Sequence, residues 1–198
     1  MTTGPRDPDA PRVHAETREP WRQWLAEHHA TATGVWLVFW KPATGRPRLS
    51  YEEAIEEGIA FGWVDSLART FDDERSGLWF TPRKPSSPWS RTNKERLARV
   101  EAAGRMAPPG WAAVEAAKAS GAWTYLDDVE ALVVPDDLAA ALAALPGARE
   151  RWDAFTESAR RQVLRWLLDA RRPATRAARV EETARLAAQG VPAHQQER

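Results

Sequence analysis

A run of six consecutive apolar residues constrains the fold of this chain most strongly. After Gly34 the sequence reads VWLVFW, which is rich in aromatic and β-branched residues and does not alternate with polar ones. Such a run is short for a helix and is typical of a strand that is buried on both faces. The run therefore predicts a central β-strand that other elements cover on both sides.

Two capping boxes of the form S/T-x-x-E predict helix starts after this strand. Ser50 and Glu53 form the first box and open a helix that runs through Phe61. Thr92 and Glu95 form the second box and open a later helix. The side-chain oxygen of the first residue in each box would accept a hydrogen bond from a free backbone N–H of the first helical turn.

A β-hairpin is predicted between these two helices. The strings WVDSLA (63–68) and LWFTPR (78–83) carry the apolar and aromatic residues of two short strands. The string DDERSG (72–77) between them has the acidic residues and the glycine that suit a tight turn. Together with VWLVFW, the hairpin predicts a small mixed sheet.

The composition changes along the chain and divides it into four parts. Residues 1–18 are rich in Pro, Asp and Arg and predict a disordered leader, whereas 19–125 contain the strand and helix signals of an α+β domain. Residues 126–190 are dominated by Ala, Leu and Arg with prolines at the breaks, which predicts a module of three to four helices. Residues 191–198 are predicted to be a flexible tail. The expected fold class is α+β with a C-terminal helical module.

Composition and motif content exclude several classes of function. Lys plus Arg and Asp plus Glu number 28 each, so no net charge attracts nucleic acid or an anionic membrane. Cysteine is absent, which excludes disulfides and Cys-ligated metals. The four histidines are scattered and no Gly-rich nucleotide motif occurs, so we expect neither a metal nor a cofactor. We see no membrane span and no signal peptide, and expect a cytoplasmic protein.

The segment from Phe61 to Asn93 has a composition that neither helical nor strand periodicity explains. It combines tryptophans with an aspartate and spaced arginines, a mixture that a core alone would not require. Side chains of these types are suited to bind a small ligand between the hairpin and the following helix. The candidate ligand-binding residues are Trp63, Asp65, Arg69, Arg83, Trp89, Ser90 and Asn93.

Each candidate has a role that its chemistry allows. Asp65 lies four residues before Arg69, whose charge would keep the carboxylate ionised. Asp65 could then act as a general base or hydrogen-bond acceptor, and it is the candidate catalytic residue. Arg83 could bind a carboxylate or phosphate through its planar guanidinium, near the amides of a helix start. Trp63 and Trp89 could stack on a planar ligand.

Structural interpretations of the same residues stay open. Asp65 and Arg69 could form a buried ion pair that has no catalytic role. Ser90, Thr92 and Asn93 could serve only to cap the helix. The sequence alone does not choose between these interpretations and the ligand-binding ones.

The charge of the helical module is unevenly distributed. Residues 121–145 carry five acidic residues and no basic one, whereas 160–179 carry seven arginines and one aspartate. Either the two segments face each other and the exposed helix faces are solvated, or the arginines bind an anion, a nucleic acid or a protein partner. Ion pairs with i, i+4 spacing are predicted for Glu157 with Arg161 and for Glu181 with Arg185.

Several strings together resemble the YdeI/OmpD-associated family, whose members are also called bacteriocin-protection proteins. The strings that carry this resemblance in the first part of the chain are GVWLVFWK (34–41), LSYEEAIEEGIAFGWVDS (49–66), FTPRKPSSPWSRTNKERL (80–97) and GRM (104–106). The C-terminal helical module of the family is similar to PDDLAAAL (135–142) and ARRPATRAARVEETARLAAQG (170–190).

The resemblance implies a role in tolerance of bacteriocins or antimicrobial peptides, or an association with an outer-membrane porin. It supplies no catalytic residues. Ala60 stands where we expect many family members to have cysteine, which argues against a mechanism that uses a thiol there.

Three functions are compatible with the sequence. The leading hypothesis is a cytoplasmic stress or antimicrobial-tolerance protein that binds a small anionic or planar ligand at the 61–93 segment. The second is a cofactor-independent hydrolase or transferase that uses Asp65 as acid or base and Arg83 as an anion clamp. The third is a nucleic-acid or protein interaction module built on the arginine-rich C-terminal helices, which the zero net charge disfavours for nucleic acid.

Overall fold

The computed structural model describes residues 4, 5, 7 and 9–194. The chain divides into two compact units, Met1–Tyr125 and Leu126–Arg198. A mixed sheet with flanking helices forms the first unit and helices form the second, which confirms the predicted α+β class. Parts of the predicted leader and tail lie outside the described residues, namely 1–3, 6, 8 and 195–198.

Unit 1 is built on a four-stranded sheet with the order β1-β2-β4-β3. The strands are β1 (Arg12–His14), β2 (Val35–Trp40), β3 (Trp63–Thr70) and β4 (Arg75–Pro82). The run VWLVFW is β2, which pairs in parallel with β1 and antiparallel with β4, so the predicted interior strand is confirmed. The predicted hairpin is also confirmed, and its strands β3 and β4 are longer than the sequence signals indicated.

The strand β1 lies in the segment predicted as a disordered leader. It pairs with residues 36–38 of β2, and the neighbouring residues Ala10 and Ala15 are buried. The prediction therefore does not hold for residues 12–14. Pairing with β1 satisfies backbone groups of β2 that would otherwise form an open sheet edge. A strand of three residues is too short to show the alternation from which a strand can be predicted.

The two faces of the sheet have separate cores. One face packs against the helices α1 (Arg18–His28), α2 (Tyr51–Ala60), α3 (Arg91–Ala102) and α4 (Pro108–Ser120). Alternate residues of β2 reach the two faces, because Val35 and Leu37 belong to the helix-covered core while Trp36 and Val38 join a smaller cluster with Trp79. The strand is thus buried on both faces, as its composition predicted.

The caps of α2 and α3 show how local sequence sets the helix starts. Ser50 and Glu53 form the predicted capping box, in which each side chain bonds the backbone N–H of the other residue. The second predicted box is wrong, because Ser90 rather than Thr92 is the N-cap of α3 and accepts a hydrogen bond from the Asn93 N–H at 3.3 Å. Ser90 is the last residue with extended backbone angles, so the helix begins earlier than predicted.

Unit 2 contains five helices among the described residues, of which the first is a single turn. They are α5 (Asp127–Glu130), α6 (Asp136–Ala143), α7 (Ala148–Ala154), α8 (Glu157–Leu168) and α9 (Pro173–Ala187). Leu138, Leu142 and Trp152 are fully buried in its core. Part of the predicted flexible tail packs on this unit, since Ala193 is buried and the His194 ring stacks on Trp166 at 4.9 Å.

The contact between α1, α2 and α3 is ionic as well as apolar. Glu56 and Glu57 of α2 are only 5% and 1% exposed, which is unusual for carboxylates and requires charged partners. This network was not predictable from the sequence, because an acidic stretch of a helix resembles a solvent-exposed face. The ion pairs are Arg18 with Glu53, Glu56 and Glu57, Arg22 with Glu57, Arg96 with Glu52, Arg99 with Glu52 and Glu56, and Arg105 with Glu56 and Glu57.

We expect the substitution Glu56→Gln to lower the free energy of unfolding by about 3 kcal/mol, because it removes the charge that compensates partly buried guanidinium groups. The matched control is Glu101→Gln on the exposed surface of α3, which should change stability by less than about 0.5 kcal/mol. Urea unfolding followed by circular dichroism measures both values. Equal losses for the two variants would contradict a structural role of the network.

The same network predicts a defined pH dependence. Burial opposes the ionisation of Glu56, but hydrogen bonds from Arg18 and Arg99 outweigh it and hold the pKa below its ordinary value of 4.5. A carboxyl group with a lowered pKa in the folded state stabilises the protein above its unfolded pKa and loses this contribution as the pH falls through the folded pKa. The stability difference between wild type and Glu56→Gln should therefore be constant near neutral pH and shrink below about pH 4.5. A difference that stays constant down to about pH 3 would contradict it.

Candidate functional site

The predicted site residues lie around the end of the hairpin and the start of α3. Asp65 stands on β3 opposite Phe80 of β4, so its side chain projects from the helix-covered face of the sheet. There the Asp65 carboxylate accepts a hydrogen bond from the Tyr51 hydroxyl at 3.2 Å. Burial, followed by the charge of Asp65, raises the pKa of Tyr51, so this hydroxyl stays protonated as a donor.

A β-bulge separates Asp65 from Arg69. Asp65 pairs with Phe80 and Leu67 pairs with Trp79, so Ser66 is an extra residue in β3. In a regular strand, residues four apart share a face, but one inserted residue moves Arg69 to the opposite face. Arg69 lies there over the Phe71 ring at 5.3 Å. The predicted pairing of Asp65 with Arg69 is therefore wrong, and Arg69 is outside the site.

Arg83 is held at the end of β4 by its backbone and its guanidinium. Its N–H donates to the carbonyl of Gly62 at 2.9 Å, and Gly62 has the left-handed φ of +73° that ends α2. The guanidinium carbon lies 4.1 Å from the centre of the Trp89 ring. Nη1 donates to the carbonyls of Pro88 at 3.1 Å and Ser87 at 3.4 Å. These contacts orient the side chain without neutralising its charge.

The charge of Arg83 is poorly compensated. Its Nε is buried and has no hydrogen-bond partner among the residues that the structure describes. Burial lowers the pKa of Arg83 to about 10, and the negative charge of Asp65 opposes this shift. Arg83 thus differs from the arginines around α2, which contact carboxylates directly.

The tryptophans predicted as stacking surfaces belong to the core. Trp63 and Trp89 are each 1% exposed. Trp63 packs edge-on against Trp24 at 5.6 Å, and Trp89 contacts Trp123 at 5.3 Å. Neither ring is free to stack on a planar ligand, so that predicted role is wrong. The face of the Trp89 ring packs against the Arg83 guanidinium.

The start of α3 completes the site with residues that the sequence analysis missed. The Asn93 side-chain oxygen accepts a hydrogen bond from Arg96 Nη1 at 3.1 Å. Arg96 also binds Glu52 through Nε at 3.0 Å and Nη2 at 2.5 Å, and it lies over the Tyr51 ring. Its charge is therefore already paired. Tyr51 and Glu52 lie in the string LSYEE, directly after the N-cap Ser50. This string predicts a helix start but does not indicate that the two side chains reach Asp65 and Arg96.

We call the group of Tyr51, Asp65, Arg83, Asn93 and Arg96 the polar corner. Burial lowers the pKa of Arg83 and the charge of Asp65 opposes this shift, whereas the pKa of Arg96 is raised first by its hydrogen bond with Glu52 and to a smaller extent by Asp65. Of the predicted residues, Asp65, Arg83 and Asn93 belong to the corner. Ser90 lies at its edge as the cap of α3.

The arginine-rich segment of unit 2 is largely used inside that unit. Arg161 contacts Glu130 at 3.2 Å and Glu157 at 3.6 Å, which confirms the predicted pair within α8. Arg176 contacts Asp137 at 2.7 Å. The basic and acidic segments therefore face each other at these two points, as one of the open interpretations predicted.

The described residues contain no membrane-spanning helix and no metal-binding cluster. No helix in that part of the chain has both the length and the apolar character needed to cross a membrane. Within the same residues, no group of three or more His, Asp and Glu side chains is placed to hold a metal ion. A groove of about 670 Å³ lies between α6 and α9 of unit 2 and contains none of the predicted site residues.

Two family models match different parts of the chain. Residues 13–113, which contain the polar corner and the strings from GVWLVFWK to GRM, match the domain of unknown function DUF8412. This match covers half of the chain, and the protein belongs to that family. Residues 131–190 match the family described as "Bacteriocin-protection, YdeI or OmpD-Associated", which confirms the resemblance drawn from the sequence. Searches of curated proteins and of solved structures found no match.

We expect Arg83→Met to change the free energy of unfolding by no more than about 1 kcal/mol, because relief of guanidinium burial offsets the lost hydrogen bonds. Trp89→Ala, which removes the ring beneath Arg83, should cost about 3 kcal/mol or more. Urea unfolding of both variants at pH 7 is the measurement. A loss above about 3 kcal/mol for Arg83→Met would show that Arg83 is a structural residue and would contradict its assignment to a binding site.

Proposed function

We propose that unit 1 binds a small molecule that carries an acidic group, and that Arg83 is the anion-binding residue. The observation that carries this proposal is the Arg83 guanidinium, which is partly buried, is oriented by Trp89 and, among the described residues, is bonded only to carbonyl oxygens through Nη1. A carboxylate or phosphate of the ligand would supply the missing counter-charge and could bind the planar guanidinium in bidentate fashion. Binding would raise the pKa of Arg83 from about 10 towards its ordinary value.

The surroundings of Arg83 favour a ligand of limited size. Arg96 is paired with Glu52, so Arg83 is the guanidinium of the corner that has no direct carboxylate contact among the described residues. The chain runs from Arg83 into the N-terminus of α3, whose partial positive charge favours an anion over one helical turn. A single acidic group therefore fits better than a polyanion.

Asp65 specifies a second feature of the ligand. One carboxylate oxygen, Oδ2, accepts the hydrogen bond from Tyr51, while Oδ1 accepts none from the residues that the structure describes. A hydroxyl or ammonium group on the ligand would satisfy Oδ1 while its acidic group binds Arg83. We therefore propose hydroxy acids or amino acids, with either a carboxylate or a phosphate, as the ligand class.

The biological setting that we propose is protection against bacteriocins or antimicrobial peptides in the cytoplasm. Support comes from the description of the family that matches residues 131–190, which names bacteriocin protection. In this proposal, unit 1 detects a small acidic metabolite or fragment. An enzyme that acts on the same ligand through Asp65 would use the same corner and would be recognised by turnover of the bound compound.

The test is a thermal-shift and calorimetric screen of small carboxylates and phosphates, with and without a hydroxyl or amino group. A ligand at a hundred times its Kd should add about 2.7 kcal/mol to the stability of the wild type. We expect Arg83→Met to abolish this gain. Asp65→Asn should weaken ligands that carry a hydroxyl or amino group and leave simple acids unaffected.

The matched control is Arg69→Met, which removes a guanidinium on the opposite face of the sheet and should leave binding unchanged. Equal effects of Arg69→Met and Arg83→Met would show non-specific charge attraction instead of a site. Absence of stabilisation by every acid in the screen would contradict the proposal.

A further inference from the structure

Unit 2 has an apolar groove for which no role follows from the polar corner. The groove lies between α6 and α9 and has a volume of about 670 Å³. Its apolar lining includes Ala141, Ala144, Leu145, Ala177, Val180 and Ala184. Leu145 is 36% exposed, so the groove presents hydrophobic surface to solvent.

The charged residues along the groove fall into two groups. Asp137 and Arg176 bind each other through two hydrogen bonds of 2.7 and 2.9 Å, so they are neutralised within the unit. Glu181 and Arg185 are exposed residues that also line the groove. The sequence predicted that these two would pair within α9, but the ion pairs among the described residues include neither of them. One unpaired charge of each sign is thus left on the same face of one helix.

We infer that this groove is the interface between two copies of the chain. Glu181 and Arg185 are one helical turn apart, so an antiparallel pair of α9 helices places Glu181 opposite the second copy's Arg185 and repeats the contact on the other side of the axis. A pattern with one charge of each sign complements itself under two-fold rotation. A helix of another protein would need a basic residue opposite Glu181 and an acidic residue opposite Arg185. A second copy of this chain provides both by symmetry.

The apolar lining fits the same arrangement. The helices α6 and α9 form a two-helix layer, and two such layers facing each other make a four-helix bundle. Alanines at positions 141, 144, 177 and 184 would allow close approach of the backbones. Leu145, which is 36% exposed, would provide the largest side chain of the shared surface, whereas Val180 is already buried in unit 2 and forms the floor of the groove. Both grooves would be filled at once, because each layer would occupy the groove of the other.

Sedimentation equilibrium on the full chain tests this inference. We expect the wild type to be a dimer and Ala177→Glu to be a monomer, because the substitution puts a charge into the apolar interface. The matched control Ala178→Glu adds the same charge at an exposed neighbouring position of α9 that does not line the groove, and it should remain a dimer. Circular dichroism reports whether each variant is folded.

A charge exchange tests the pairing independently of the apolar substitution. Glu181→Arg and Arg185→Glu should each raise the dimer dissociation constant about tenfold, because each places like charges opposite one another twice. The double variant exchanges both charges and should regain the wild-type dissociation constant.

The inference is overturned if the wild type is monomeric at all concentrations, whatever else is found to bind the groove. Dimers that survive Ala177→Glu, or a double variant that is weaker than both single variants, would likewise overturn it.

Discussion

The structure of unit 1 depends on two glutamates that are almost completely buried. Glu56 and Glu57 are accommodated inside the protein because arginines of α1, α3 and the segment after α3 contact their carboxylates. A buried carboxylate without such partners would destabilise the fold by several kcal/mol. The positions of α1 and α3 relative to α2 are therefore set by directional guanidinium–carboxylate contacts as well as by the apolar core. Since α2 carries Tyr51 and α3 carries Asn93, this network also fixes the polar corner.

Arg83 differs from the arginines of that network in the groups that its guanidinium contacts. The arginines around α2 have direct carboxylate partners, whereas Arg83 rests on Trp89 and bonds two carbonyl oxygens. Its pKa of about 10 reflects burial that the more distant charge of Asp65 does not offset. Within unit 1, the arginines around α2 are compensated by direct carboxylate contacts, whereas the Arg83 guanidinium is bonded to carbonyl oxygens. That arrangement is typical of a binding residue whose counter-charge is supplied by the ligand.

Features of the fold that depend on neighbouring residues were predictable from the sequence. The strand VWLVFW, the hairpin and the Ser50 capping box follow from local composition and spacing, and all three are confirmed. Contacts between distant residues were not predictable, as Arg18 and Glu56 show by their separation of 38 positions. The bulge at Ser66 was not predictable from the sequence, and this single extra residue places Arg69 on the face of the sheet opposite to Asp65. Asp65 and Arg83 were found by their chemistry, while the burial of Trp63 and Trp89 was missed because aromatic residues suit both cores and ligand sites.

The most direct test of the binding site is nitrogen-15 NMR of the arginine side chains. The protein is titrated with a compound that carries a carboxylate or phosphate together with a hydroxyl or amino group. The Arg83 Nε–H has no partner among the residues that the structure describes, so its resonance should move in a saturable way as the ligand is added to the guanidinium. The Arg69 resonance, on the other face of the sheet, should stay in place. An Arg83 resonance that does not move while the protein is saturated with ligand would contradict the account.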